Sequence, residues 1–435
     1  MNTDLLRDET SLFEKCCNPF YLGLGFADVK RNRGAPGVDG ITITTFENNL
    51  DKELSQLSRE LESWTYKPKP VRRVDIDKPD GGVRTLGIPC IRDRVVHATL
   101  KRILEPRLTP HFSDYSFGFI PGRNQEQAVK AAQGIVTSGK EWVVDIDLSK
   151  FFDRIHHDRL INRLGQFIDD KRILRLIGMI LRSGIMKDGL VTPSREGSVQ
   201  GSPLSPLLSN VVLDELDKEL ENRGLEFCRF ADDCNIFVKT PKAAERVMSS
   251  VSKFIEKTLK LKVNQEKSQV ARAENVKFLG MTVVKGHIAI SAKSMKRALT
   301  TVKQLTPRGT HLTLEKSIEK INRWYRGWSS YYSMTQYPAQ LAKIEAHIRR
   351  RLRSRLIDQQ KSRRNLFNKL VKHNIPRPLA AKHVFSNNKR WALSRTRAVE
   401  KAFSNRWFIK DKGLFIRSNA KLDHWFDIKS WIRLV

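Results

Sequence analysis

The sequence predicts an α+β protein in which a block of short strands and covering helices precedes an all-helical region and a basic C-terminal segment. Three observations carry this. Up to about residue 290, short β-branched segments alternate with amphipathic stretches and no long apolar strand occurs, which suits a sheet with one face covered by helices. Beyond that point the strand signals mostly stop. Charge divides at the same place, because residues 291–435 hold 34 basic and 8 acidic residues while residues 1–290 hold 45 and 39.

In chain order, residues 1–35 read as helix, closed by the turn-rich NRGAPGVDG. Residues 45–66 have a helical period, with Phe46, Leu50, Leu54, Leu57 and Leu61 on one stripe. A hairpin follows: VRRVDID, a turn at KPDGG that begins with Lys78, and VRTLGIP. Helices are expected over 92–108 and 124–138. Residues 142–148 alternate as a strand, with Val143, Asp145 and Asp147 on one face and Trp142, Val144, Ile146 and Leu148 on the other. Ser205 and Pro206 open another helix as N-cap and first-turn proline. Residues 225–238 read as two strands joined at Ala231-Asp232-Asp233. A helix over 243–259 and short strands near Val263 and 278–284 complete the block. Past 290, Leu341, Ile344, Ile348, Leu352 and Leu356 stripe a helix otherwise full of arginine. The helical region is placed at 291–375. Pro376 and Pro378 break its pattern, and a basic segment with scattered tryptophans occupies 376–435.

A net charge of +32 points to a polyanionic partner, because phosphate contacts release condensed counterions. Hydrophobic content of 40% excludes a disordered chain. Cys16, Cys17, Cys90, Cys228 and Cys234 form no CxxC pair and no zinc spacing with histidine, and an odd count suits a reducing compartment. The N-terminus is expected to be neither a signal nor a transit peptide, and no apolar run is long enough to span a membrane. A cytoplasmic location is the expectation.

Chemistry is signalled most strongly by FCRFADDCNIFV, residues 227–238. Adjacent carboxylates between apolar strands are costly to bury uncompensated. A hairpin turn is the plain alternative, since Asp favours turns, although Asp-Asp lacks the Gly or Asn of the tightest hairpins. Asp147 ends a second apolar strand. Three carboxylates brought together would repel one another and raise their pKa values. Mg²⁺, which takes one or two carboxylates plus substrate phosphates, resolves this. Two such ions ~3.5–4 Å apart would clamp both oxygens of an in-line phosphoryl displacement. The implied chemistry is nucleotidyl transfer. Lys78 and Arg84 lie three residues either side of Gly81, so the hairpin would set them opposite each other, two cations able to grip β- and γ-phosphates. An ordinary solvated hairpin has the same pattern. SVQGSPLSP, residues 198–206, has one amide, Gln200, among small residues that let a nucleotide approach; alone it is a helix-start loop.

These segments occur together in a known order. LSKFFD after Asp147, QGSPLSPLLSN, RFADDCNIFVK and FLG at 278–280 follow the arrangement of reverse transcriptases. With GAPGVDGIT, KPDGGVRTLGIP and INRWYRGWSSYY, the chain most closely resembles the reverse transcriptase–maturases of bacterial group II introns, in the compact class C-like form. The resemblance implies a right-hand polymerase: an N-terminal extension and the start of the fingers at 1–66, fingers and palm at 67–290, a helical thumb or maturase domain at 291–375, and a DNA-binding region at 376–435. It implies that Asp147, Asp232 and Asp233 bind two Mg²⁺ ions (Mn²⁺ substituting), with the Leu148 carbonyl as a further ligand. Lys78 and Arg84 match the nucleotide-gripping fingertip, Phe152 the sugar-sensing aromatic, Gln200 the residue beside the nascent pair, and Lys267 the lysine that protonates pyrophosphate.

The resemblance implies dNTPs, an RNA template, a DNA primer or target and intron RNA as partners, with assistance to splicing and target-primed reverse transcription. The oligomeric state is left open. Alternatives are a reverse transcriptase adopted for DNA repair or phage defence, and an RNA-binding maturase without polymerase activity. Phe230 stands where the family has Tyr, and Ile120 where it commonly has Arg. The endonuclease domain of many relatives is not expected here. His156-His157-Asp158 reads as the start of a helix rather than a metal site. Trp324, Trp328 and Tyr331 share a helical face that suits a core, with base stacking as the alternative. The arginine run at 349–355 could be a plain solvated face; the local basic surplus favours RNA contact, without choosing which arginines make it.

Overall fold

The computed structural model describes residues 11–77, 83–187, 190–192, 196–199, 201–307 and 309–417, with the side chains of Arg84 and Lys187 outside that description. The chain divides into two compact units, Met1–Arg272 and Ala273–Val435.

The first unit opens with α1 (Leu12–Cys17) and α2 (Pro19–Asn32). The single helix expected here is broken because Asn18 ends one helix and caps the next, its side chain accepting the Phe20 N–H at 2.8 Å, with Pro19 in the first turn where no donor is needed. Likewise α3 (Ile43–Glu47) and α4 (Leu50–Glu62) replace one helix, and their stripe buries Phe46, Leu54, Leu57 and Leu61. The hairpin β1 (Val71–Asp77) and β2 (Val83–Ile88) leads into α5 (Ile91–Leu108), α6 (Gln125–Thr137) and β3 (Trp142–Ile146). Asn124 and Gln127 close a capping box on α6. Then come α7 (His157–Leu164), α8 (Lys171–Leu181), β4 (Ile185–Lys187), β5 (Leu190–Thr192), α9 (Ser205–Asn222), β6 (Glu226–Phe230), β7 (Asp233–Val238), α10 (Pro241–Lys257) and β8 (Gln269–Arg272).

Two four-stranded sheets result, ordered β2-β1-β4-β5 and β6-β7-β3-β8. In the second, β3 runs antiparallel to both β7 and β8. Val144, Ile146 and Ile236 join one continuous core with Leu208 and Leu213 of α9 and Ile255 of α10, which is the helix-covered face the alternation predicts. Near Val263 there is an isolated bridge to Leu148, and the edge strand lies six residues further on, at β8.

The second unit begins with the hairpin β9 (Met281–Val284) and β10 (His287–Ile290), followed by α11 (Ala292–Leu305), α12 (Leu314–Tyr331), α13 (Pro338–Asp358), α14 (Arg363–Lys372), α15 (Arg377–Val384), α16 (Arg390–Leu393) and α17 (Arg397–Ala402). Gln336 and Gln340 imitate a neighbouring strand: their side-chain oxygens accept the Ile288 and Ile290 N–H groups at 2.8 and 2.7 Å, which covers the open edge of β10. The prolines expected to end the helical region start a helix instead, Pro376 at its N-cap and Pro378 in its first turn, and burial continues through Val399, Phe403 and Phe408.

The arginine run corrects its expectation. Arg349, Arg353 and Arg355 are buried. Arg353 donates to the Phe403 carbonyl at 2.8 Å and to Asn405 at 3.0 Å, Arg351 to Thr306 at 2.9 Å, and Arg355 to Ser317 and the Leu312 carbonyl. Helical spacing turns these side chains inward, where loop carbonyls need donors. On α12 the buried face is Ile318, Ile321, Tyr325 and Ser329, with Tyr325 donating to buried Glu345 at 2.7 Å. Trp324 and Trp328 flank that face half-buried and stacked, 5.8 Å between centroids, and Tyr331 donates to the Leu279 carbonyl.

Candidate active site

β6 and β7 pair Phe230 with Asp233, so Ala231 and Asp232 form a two-residue hairpin loop. Ala231 adopts φ 56°, a left-handed conformation that costs a non-glycine residue energy. The motif is therefore a tight turn even though it lacks Gly or Asn. The β3–β7 register ends at Ile146 opposite Cys234, so Asp147 follows the last paired residue of β3 and Asp233 precedes Cys234 at the start of β7. Asp147 is clamped through its backbone: its N–H donates to Ser268 Oγ at 3.0 Å and its carbonyl accepts the Asn264 N–H at 2.8 Å. Leu148 bridges Val263, and Ser149 N–H donates to the Lys262 carbonyl at 2.8 Å. Lys267 is exposed on the same 264–268 turn and does not line the cavity beside the sheet end.

That cavity, about 450 Å³, is lined by Asp232, Phe152, Phe119, Leu86, Arg33, Arg94, Gly201, Ser202 and Pro206, among others. Phe151 and Phe152 separate cleanly. Phe151 is 3% exposed and belongs to the core, while Phe152 lies half-buried against it, edge-on at 5.2 Å, and faces the cavity. The 196–205 loop docks onto the turn that carries Phe152, with Ser198 N–H donating to the Phe152 carbonyl at 2.6 Å and Gly197 N–H to the Ile155 carbonyl at 2.8 Å. It also presses on β2: a Cβ at Gly201 would lie 2.5 Å from the Gly87 carbonyl oxygen, and one at Gly87 2.5 Å from Val199. Gln200 and Lys78 lie outside the described residues, as does the Arg84 side chain. The β1–β2 register pairs Arg84 with Ile76, so the expected symmetry about Gly81 is not the observed one.

Several residues at the site had no signal in the sequence. His157 bonds through Nε2 to the Gly197 carbonyl at 2.8 Å, and burial lowers its pKa. Its neighbour His156 caps α7, as a helix start requires. His97 bonds Ser202 Oγ at 2.9 Å, and burial pushes its pKa down to about 3, so it stays neutral. Arg94 donates to the Pro89 carbonyl at 2.9 Å and to the Ala35 carbonyl, tying the glycine-rich 33–40 loop beside the cavity. Ile120 is buried in the core rather than turned to the cavity. These ties join segments as far as 105 residues apart, which no local pattern records.

Among the described residues, no three His, Cys, Asp or Glu side chains converge into a metal cage. The β6–β7 turn carries Asp232 with Asp233 as its closing residue, and Asp147 and Leu148 follow the last paired residue of β3. Carboxylate and main-chain oxygens are hard donors of the kind a divalent cation takes, with waters and substrate phosphates completing the shell rather than an all-protein cage.

Residues 76–283 match the family model "Reverse transcriptase (RNA-dependent DNA polymerase)", and residues 295–373 match "Group II intron, maturase-specific domain". Protein YkfC of Escherichia coli (strain K12) is 31% identical over 325 residues, 66% of this chain and 84% of that protein. Group II intron-encoded protein LtrA of Lactococcus lactis subsp. cremoris is 32% identical over 221 residues, 51% of this chain and 37% of LtrA. Putative COX1/OXI3 intron 1 protein of Saccharomyces cerevisiae is 33% identical over 195 residues, 44% of this chain and 23% of that protein. A reverse transcriptase domain implies dependence on divalent metal and contact with RNA and DNA. The chain belongs to the group II intron-encoded reverse transcriptase–maturase family and is an RNA-directed DNA polymerase.

Proposed function

We propose that the cavity receives the incoming dNTP and that Asp147, Asp232, Asp233 and the Leu148 carbonyl hold two Mg²⁺ ions, for which Mn²⁺ can substitute. The observation that carries this is the meeting of Asp232 and Phe152 in one cavity, beside a sheet end where Asp147 and Asp233 each lie one residue beyond the last β3–β7 pair. When bound, the ions would activate the primer 3′-hydroxyl and offset charge on the phosphates. The protein's own residues set the geometry. The turn and the Ser268 clamp aim the carboxylates, and the Phe152 ring closes the space where a 2′-hydroxyl would sit. In this reading Gln200 contacts the nascent pair, Lys78 and Arg84 grip the triphosphate, and Lys267 supplies a proton to pyrophosphate. Asp232→Asn should abolish primer extension on a defined RNA template while leaving folding and template affinity unchanged; retention of a tenth of the activity counts against the assignment.

The same reading extends to the intron. The chain binds its own intron RNA, assists its splicing and carries out reverse transcription primed by a DNA target, in the bacterial cytoplasm. Support comes from the maturase match and from the basic surplus of residues 291–435. Splicing of the cognate intron RNA with and without the protein, at limiting Mg²⁺, tests it. Equal rates would confine the chain to polymerisation. The domain limits proposed are 1–66, 67–290, 291–375 and 376–435. No helix among the described residues is long and apolar enough to cross a membrane.

A further inference from the structure

Arg229 precedes the catalytic turn by two residues and is completely buried. A guanidinium without solvent contact is costly unless every arm is engaged. Here every arm is. Nε and Nη2 donate to the two oxygens of Asp217 on α9 at 2.7 and 2.6 Å. Nη1 donates to Asn210 Oδ1, also on α9, at 3.0 Å, and to the Ala231 carbonyl at 2.8 Å. Asp217 and Asn210 are themselves fully buried. Burial opposes the charge on Arg229, and the Asp217 carboxylate more than offsets it, so the guanidinium stays ionised.

The bond to Ala231 bears on the chemistry. The Ala231 carbonyl belongs to the peptide that leads into Asp232, so holding it sets the plane from which the Asp232 side chain departs. Ala231 is also the residue in the left-handed region. Such a conformation persists only where its surroundings over-determine it. A second restraint comes from the 115–118 segment. Phe117 N–H donates to the Arg229 carbonyl at 2.8 Å, and Arg229 N–H donates to the Tyr115 carbonyl at 2.9 Å. Asn210 Nδ2 donates to the Gly118 carbonyl at 2.9 Å, and Gly118 packs directly on the Ala231 backbone.

The geometry points to Arg229, steadied by Asp217 and Asn210, as a positioning residue that fixes the Ala231–Asp232 peptide and thereby the aim of the catalytic carboxylates. The role rests on the polymerase reading above. It predicts a defect in turnover rather than in nucleotide binding, because no atom of the network touches the cavity.

The test compares full-length wild type with Arg229→Lys, Asn210→Ala and the double variant Arg229→Met/Asp217→Leu. Lysine keeps a cation for Asp217 but has no planar fork to reach Ala231 as well. The double variant removes both charges at once, a replacement often neutral for stability. Each is measured for kcat and dNTP KM in single-nucleotide incorporation, for template–primer affinity, and by hydrogen–deuterium exchange of the peptide covering residues 230–235. In the Arg229 variants kcat should fall roughly 10- to 100-fold with KM nearly unchanged, since displacements of about an ångström at reacting groups cost that much. Exchange across 230–235 should quicken and template–primer affinity should hold. Asn210→Ala keeps both charges, so it remains testable where the others fail to fold, and should move kcat and exchange in the same direction by less. Any folded Arg229 variant with wild-type kcat and exchange overturns the role, as does wild-type behaviour in Asn210→Ala. A fall in template–primer affinity that matches the fall in kcat also overturns it. If wild type extends no primer, the polymerase reading fails, and the exchange measurement alone judges the hold on the turn.

Discussion

Replacing Phe152 by alanine should open the sugar side of the cavity while leaving the fold in place. The ring is half-buried, meets Phe151 edge-on at 5.2 Å and lines the cavity with Asp232. Phe151 is 3% exposed and packs in the core, so truncating it costs ~3–5 kcal/mol. Truncating Phe152 loses the ring pair, ~0.5–1.5 kcal/mol, plus part of its own burial. If the ring meets C2′ of the incoming sugar, a gap of hydroxyl size is worth roughly 1–3 kcal/mol, or 10- to 200-fold in discrimination. The assay is single-nucleotide incorporation on a defined RNA template, with kcat/KM measured for a dNTP and its matching rNTP. The dNTP-to-rNTP ratio should fall by about that factor in Phe152→Ala. Phe151→Ala should lower the melting temperature and leave the ratio alone. A folded Phe152→Ala protein with an unchanged ratio refutes the steric argument and returns the residue to a packing role.

Gly118→Ala would drive a Cβ into the Ala231 backbone, so primer extension should fall at least about tenfold in a protein that still binds template–primer; wild-type kcat would show that the 115–118 segment is free to move away. Arg353→Ala should destabilise the second unit by ~1–3 kcal/mol, because two loop acceptors lose a charged donor, while the slope of log K against log [salt] for RNA binding stays constant. A slope reduced by about one would return Arg353 to the phosphate-contacting set. Asp93 is 1% exposed and accepts from Tyr66 Oη at 2.6 Å and Lys69 N–H at 3.1 Å; burial raises its pKa from 3.8 to about 6. The folded state then binds more protons than the unfolded one between those values, so this group's contribution to stability falls as pH rises from 3.8 to about 6. Urea midpoints across that window should decline less steeply in Asp93→Asn than in wild type, and parallel curves would contradict the shift.

Much of the site was legible because parity and punctuation are local. The alternation of residues 142–148 places Asp145 and Asp147 on one face, and the adjacent carboxylates at 232–233 interrupt two apolar strands. Those patterns needed only correct strand lengths, and the β3–β7 register ends one residue short of Asp147 and Asp233. The hairpin pairing was misjudged, since the ladder sets Arg84 opposite Ile76 and a turn-rich KPDGG leaves the register open until the strands pair. The arginine run was misread for a related reason. A basic helix face looks alike whether its cations meet phosphates or loop carbonyls, and carbonyl partners such as Phe403 and Leu312 lie some forty to fifty residues away in sequence.

By itself the sequence determined the α+β block, the helical second part, the basic surplus at the C-terminal end and the three aspartates. Each of these is written in composition or in a period of two or 3.6 residues. Tertiary structure alone decided that Phe152 rather than Phe151 faces the cavity, that His97, His157 and Arg94 brace its walls, and that Arg229 spans from Asp217 to the Ala231–Asp232 turn. A buried cation is stabilised by whichever acceptors the fold brings within 3 Å, and those acceptors sit on α9 and on the turn, elements that meet only after the chain has closed on itself.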